Sequence, residues 1–119
     1  MKLKVAQIGV GYWGPNLLRN LHSNNQVIVK TVVELSKNRR DYVNENYPYI
    51  ETHDNFDMVL NDESIEAVII STPVATHYNL AMKALKRGKH ILVEKPMATK
   101  VKEIEDITEI AEKNNLIAM

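Results

Sequence analysis

The chain has 119 residues, a length that suits one domain with its own core. Fifteen Lys and Arg balance fifteen Asp and Glu, so no basic excess points to nucleic acid or to an anionic membrane. Cysteine is absent, which excludes disulfides, thiolate metal sites and thiol catalysis, and no metal site is expected. No stretch approaches the roughly 20 apolar residues of a membrane span. The basic start Met1-Lys2-Leu3-Lys4 is followed by an apolar run too short for a signal peptide. A cytoplasmic protein is the expectation.

Leu3–Gly9 reads as a short buried strand that stops at glycine. From Trp13 or Gly14 to Ser23, Leu17, Leu18 and Leu21 have helical spacing, and Pro15 stands near the start, where its missing N–H costs nothing. Val27–Val33 is β-branched and predicts a second strand. Ser36 reads as the N-cap of a polar helix to about Asn46, stopped by Pro48. Tyr49–Thr52 predicts a short third strand, and Asp54 caps a short helix through Met58 and Leu60. Ala67–Ser71 is a fourth strand. Thr76 caps a helix with the stripe Leu80, Ala81, Ala84 and Leu85, closed by Gly88. His90–Val93 is a fifth strand, Thr99 opens a last helix ended by Asn114-Asn115, and Leu116–Met119 begins a sixth strand.

Strands and helices thus alternate along residues 1–119, with lengths that suit right-handed parallel crossovers. The expected fold is α/β: a three-layer, doubly wound parallel sheet of Rossmann type, in strand order 3-2-1-4-5-6.

Gly9-Val10-Gly11-Tyr12-Trp13-Gly14 matches G-x-G-x-x-G between a strand and a helix, the context this motif needs in order to bind a dinucleotide. Gly9 would allow the tight turn, Gly11 the approach of the pyrophosphate, and Gly14 close packing of helix on strand. The helix N-terminus offers N–H groups and the positive end of its dipole. Tyr12 and Trp13 read as packing or shielding beside the dinucleotide. Glu34, twenty residues past Gly14, stands where a carboxylate accepts the ribose hydroxyls and repels a 2′-phosphate. NAD is therefore the expected cofactor. NADP stays open, because Ser36, Lys37, Arg39 and Arg40 follow and could meet that phosphate, or could form a solvated helix face. Lys95 falls at the carboxyl edge of the sheet, where it could position a substrate hydroxyl or tune its proton loss. The other reading of Lys95 is a surface residue paired with Glu94.

Together, Gly9–Gly14, Ser71-Thr72-Pro73, His77 and Glu94-Lys95-Pro96 resemble the N-terminal half of the Gfo/Idh/MocA oxidoreductases. The resemblance covers all 119 residues. Gly11-Tyr12-Trp13-Gly14-Pro15-Asn16 and Thr72-Pro73-Val74-Ala75-Thr76-His77-Tyr78 resemble members of surface-polysaccharide sugar metabolism. The resemblance implies that Gly9, Gly11 and Gly14 hold the pyrophosphate, with backbone around Tyr12 and Trp13. It implies that Glu34 binds the adenosine ribose. Ser71, Thr72 and Pro73 line the cofactor, with His77 towards the nicotinamide; by itself, a histidine beside a helix start also reads as a structural hydrogen bonder. Glu94 contacts the nicotinamide ribose, and Lys95, in the turn with Pro96, is the catalytic lysine. The Lys95–Pro96 bond is expected to be cis, which X–Pro bonds permit cheaply.

The implied reaction is hydride transfer between a nicotinamide cofactor and a hydroxyl of a sugar, nucleotide sugar or cyclitol. The family's substrate domain, which carries further acid–base residues, is expected to be absent from these residues. They are therefore expected to bind cofactor with little turnover. An apolar edge at Leu116–Met119 makes pairing with a second copy an expectation. Two other readings are a non-catalytic regulatory or sensor module and a Rossmann domain for S-adenosylmethionine or FAD. Glu94-Lys95-Pro96 argues against both.

Overall fold

Alternating apolar strands and amphipathic helices can bury both faces of a sheet only by covering each with helices. The computed structural model, which describes residues 1–119, has this arrangement. β1 (Leu3–Ile8), β2 (Val27–Val33), β3 (Glu51–His53), β4 (Ala67–Ile70) and β5 (His90–Val93) form one parallel sheet in the order β3-β2-β1-β4-β5. The helices are α1 (Gly14–Ser23), α2 (Lys37–Asn46), α3 (Asp57–Leu60), α4 (His77–Lys86) and α5 (Val101–Lys113).

Two cores lie on the two faces. Val5, Val29, Val32, Ala67 and Ile69 pack with Leu18 of α1 and Val43 of α2. Ala6, Ile8, Val68, Ile70, Ile91 and Val93 pack with Val59 of α3, Ala81, Ala84 and Leu85 of α4, and Ile107 and Ala111 of α5. The alternation of Val5 with Ala6 and of Ile69 with Ile70 is the period of two that directs neighbours to opposite faces. A register shift between Val5 and Ala6 lets Lys30 fall between pairs, so Val29 and Val32 can both face α1 and α2.

Several boundaries differ from expectation. Ile50 N–H donates to Tyr47 O at 3.0 Å, a turn that delays pairing of β3 to Glu51. Asn55, not Asp54, serves the start of α3: its Oδ1 accepts from Asp57 N–H at 2.8 Å. Thr76 does not cap α4. Its hydroxyl donates to Pro73 O at 2.6 Å, closing a 3-10 turn over Val74–Thr76. Thr99 lies before α5, and its N–H and hydroxyl both reach Glu103 Oε1 at 3.3 Å.

The sixth strand is reduced to one parallel bridge, Ile91 to Ala118, so the sheet has five strands. Its place beside β5 is as expected. Ile91 N–H donates to Ile117 O, and Met119 N–H to Ile91 O. Asn115, in the left-handed region, turns the chain out of α5 towards β5, where Ala118 pairs with Ile91. The fold is otherwise the doubly wound Rossmann arrangement.

Candidate functional site: a cleft at the carboxyl edge of the sheet

The sheet hydrogen bonding continues one residue past four of the strands. Gly9 N–H donates to Val33 O, Glu34 N–H to His53 O, Ser71 N–H to Ile8 O and Glu94 N–H to Ile70 O, all at 2.8–2.9 Å. Four loops therefore leave the sheet in register and border one cleft of about 580 Å³. Gly9, Gly11, Tyr12, Trp13, Glu34, Leu35, Ser36, Arg39, Ser71, Thr72, Pro73 and Glu94 line it. Open parallel sheets bind ligands at this edge, where the strand order reverses.

The glycines of the first turn are needed for different reasons. Gly9 has φ +93°, and a Cβ there would lie 2.4 Å from Ser71 O, so only glycine lets β1 leave the sheet this close to β4. At Gly11 a Cβ would have one neighbour within 4 Å, an Arg39 guanidinium nitrogen at 3.9 Å. Nothing in the protein itself demands glycine there, whereas a ligand in the cleft would.

The N–H groups of Gly11, Tyr12, Trp13 and Gly14 donate to no protein acceptor. Trp13 provides no side-chain cap to α1, and Pro15 follows immediately. A helix start with unclaimed N–H groups beside a cleft is suited to an anion such as a pyrophosphate.

Glu34 is 8% exposed. Its Oε1 accepts from Val10 N–H and its Oε2 from Ser36 N–H, each at 2.8 Å. The carboxylate is thus fixed at the end of β2, facing the turn. Ser36 also caps α2, where its Oγ accepts from Arg39 N–H at 3.4 Å. The two arginines divide. Arg40 donates to Glu34 O and Leu35 O at 2.7 and 2.9 Å, so it holds the β2–α2 bend. Arg39 is exposed at the cleft. Leu35, which the sequence reading passed over, lines the cleft while 82% exposed.

His77 lies beneath this rim rather than in the cleft. It is 1% exposed, with Nδ1 2.7 Å from Pro96 O and Nε2 2.7 Å from Thr72 O. Both ring nitrogens face protein carbonyl oxygens, and the ring lies between the loop after β4 and the loop after β5. Lys95 is exposed and makes no ion pair with Glu94. The Lys95–Pro96 peptide is cis. Gly14 sits under the turn, where a Cβ would be 2.9 Å from Gly9 O. Gly14, His77, Lys95 and Pro96 therefore surround the cleft without lining it.

Gln7 and Val10 were missed by the sequence reading. Val10 supplies the N–H that holds Glu34. Gln7 is fully buried below the turn, and its amide donates to Gly9 O at 3.0 Å and to Gly14 O at 2.9 Å. The available signal was a lone amide in an otherwise apolar run.

No helix is long and apolar enough to cross a membrane. The cleft residues fit a dinucleotide, with unclaimed N–H groups in the glycine turn and the fixed carboxylate of Glu34 beside it. Comparison with known proteins agrees. The family model for Gfo/Idh/MocA, an oxidoreductase family with an NAD-binding Rossmann fold, matches residues 3–119. The NADP(+) scyllo-inositol 2-dehydrogenase IolW of Bacillus subtilis is 30% identical over 117 residues, covering 96% of this chain and 33% of that protein. Inositol 2-dehydrogenase of Salmonella typhimurium is 31% identical over 120 residues, covering 96% and 34%. The crystal structure of an NAD-binding protein from Listeria innocua superposes with a TM-score of 0.92 at 26% identity, over all of this chain and 35% of that one. The chain spans about a third of the length of the curated relatives it matches. It belongs to the Gfo/Idh/MocA oxidoreductase family, whose NAD-binding Rossmann fold it carries.

Proposed function

We propose that residues 1–119 form the cofactor-binding unit of a dehydrogenase acting on a hydroxyl of a cyclitol, sugar or nucleotide sugar. The observation that carries this reading is the set of unclaimed N–H groups from Gly11 to Gly14, in the turn that borders the cleft beside the fixed carboxylate of Glu34. The turn would bind the pyrophosphate, and Glu34 would accept the hydroxyls of the adenosine ribose. Ser71, Thr72 and Pro73 would line the cofactor, and Glu94 would meet the nicotinamide ribose. When bound, the nicotinamide supplies or accepts the hydride.

Lys95 would be the catalytic residue. From the loop that carries Glu94, its amine would hold the substrate hydroxyl and take or return its proton. It cannot by itself align a carbinol in near-attack geometry. Residues 1–119 alone are therefore expected to bind cofactor with little turnover.

NAD is the preferred cofactor in this reading, because the Glu34 carboxylate would repel a 2′-phosphate. One observation favours NADP instead: Arg39 stands exposed at the same wall, while Arg40 is engaged in the backbone. The name of the Bacillus relative also includes NADP. Calorimetric titration with NADH, NADPH and S-adenosylmethionine tests both points. Tight binding of NADH, weaker binding of NADPH and none of S-adenosylmethionine is expected. Absence of binding by either nicotinamide cofactor would overturn the reading. Steady-state assays with inositols, sugars and UDP-sugars test the second part, and rapid turnover by residues 1–119 alone would contradict it.

A further inference from the structure

We infer that Gln7 is a positioning residue for the dinucleotide, acting through one peptide group that it shares with Glu34. This rests on the cofactor reading above.

Gln7 lies on the face of β1 that α1 covers, where its neighbours Val5 and Val32 are apolar. An amide buried there carries a desolvation cost that an apolar residue of similar size avoids. Only its nitrogen is satisfied. Nε2 donates to Gly9 O and Gly14 O, while Oε1 accepts nothing from the protein. Turning the amide over would set Oε1 against two carbonyl oxygens, so the two bonds fix its orientation.

The two carbonyls stand at the two ends of the glycine turn. The amide therefore closes the turn from below, and Gly14 leaves room for it: a Cβ at Gly14 would be 3.4 Å from Nε2. The C=O and N–H of a trans peptide point in opposite directions. Gly9 C=O accepts from Gln7, and Val10 N–H, on the same peptide, donates to Glu34 Oε1. One peptide plane is held from both sides. The chain Gln7, Gly9–Val10 and Glu34 sets the carboxylate that would face the ribose. The bond to Gly14 O sets the first turn of α1, whose N–H groups would face the pyrophosphate. Hydrogen bonds linked through a shared peptide reinforce one another, so loss of one end is felt at the other.

The test is a double-mutant cycle of Gln7→Met and Glu34→Gln, with Kd for NADH read by calorimetry and folding checked by circular dichroism. Gln7→Met is expected to weaken NADH about tenfold, the order expected for loss of one or two neutral hydrogen bonds. The double variant should lose less than the product of the two single losses. A folded Gln7→Met that binds NADH like wild type, or losses that multiply, would overturn the inference. A measurement on the wild type covers the case in which Gln7→Met does not fold. Saturating NADH should slow hydrogen exchange of the Gln7 side-chain amide, and an unchanged rate counts against the proposal. Failure of the cofactor reading looks different, since the wild type would then take up no NADH at all, and the inference would fall with it.

Discussion

Gly9→Ala and Gly11→Ala should separate the requirements of the fold from those of the ligand. At Gly11 the new methyl would approach only an Arg39 nitrogen, at 3.9 Å, and the backbone is not left-handed. Alanine there restricts the unfolded chain more than the native one, which predicts a gain of about 0.4–1 kcal/mol and a rise in Tm of roughly 2–5 °C. The same methyl points into the space assigned to the pyrophosphate. Overpacking of about 1–3 kcal/mol would weaken NADH roughly 5- to 150-fold. At Gly9 the situation is reversed. The methyl would meet Ser71 O at 2.4 Å, on a residue with φ +93°. Strain plus the clash predicts a loss of about 2–4 kcal/mol in stability, whether or not cofactor is present. Thermal unfolding followed by circular dichroism and calorimetric titration with NADH read the two effects separately. A Gly11→Ala protein that binds NADH as wild type does would refute the placement of the pyrophosphate. A Gly11→Ala protein that unfolds at a lower temperature would refute the claim that the fold leaves this position free.

Glu34→Gln should lower stability by about 1–3 kcal/mol in urea unfolding, because a primary amide cannot accept from both Val10 N–H and Ser36 N–H without turning its own NH₂ towards one of them. The same variant removes the charge at the ribose, so the ratio of NADPH to NADH affinity should rise. Lys95→Met should leave stability within about 0.5 kcal/mol and NADH affinity near wild type, since the side chain is exposed and unpaired. Hydride transfer with a cyclitol or sugar, wherever it is measurable, should fall by about 10²–10⁴. Away from the cleft, the Lys30 amine and the Ser64 hydroxyl hold the Asp62 carboxyl at about 2, below its ordinary 3.8. A depressed carboxylate stabilises the fold above its unfolded pKa and loses that contribution as pH falls towards the folded value. Stability should therefore decline between about pH 4 and pH 2, and Asp62→Asn should flatten that part of the acid-unfolding curve.

Much of this architecture is written in local signals. A glycine that ends an apolar run, a proline at a helix start and a β-branched run are short-range features. They placed β1, α1 and β2 within a residue of where they lie. Glu34 was found because its distance from the turn follows from one βαβ unit. What escaped was decided by pairing across the chain. Nothing within a few residues of His77 reveals that the Pro96 carbonyl, nineteen residues on, folds over its ring. Thr76 has the chemistry of a cap, yet its hydroxyl is drawn into the Thr72-Pro73 bend, where it donates to Pro73 O and accepts from no helix N–H. Arg39 and Arg40 are indistinguishable as neighbours in a polar helix, and only the bend at Leu35 decides which one is consumed. Nor does the sequence show what Gln7 meets, because a strand's period shows which face a residue takes, not what waits there.

The buried polar groups share one arrangement. Glu34 ties the end of β2 to the glycine turn, Gln7 ties that turn to β1 and α1, and His77 ties the loop after β4 to the loop after β5. The remaining junction, between the loops after β1 and β4, is made by contact, since Gly9 approaches Ser71 too closely for any other residue. Every loop around the cleft is thus fastened to its neighbour by protein atoms before a ligand enters. Ordering a loop at the moment of binding costs affinity, and a rim fastened in advance avoids that cost. Tyr12, Trp13, Leu35 and Arg39 line the cleft without a fastening role and are all substantially exposed. A ligand can order these four against a frame the protein already holds together. Substitutions of Gln7 and His77 should therefore change affinity for every dinucleotide alike, whereas substitutions among these four, and of Glu34, whose charge would face the ribose, should change which dinucleotide is preferred.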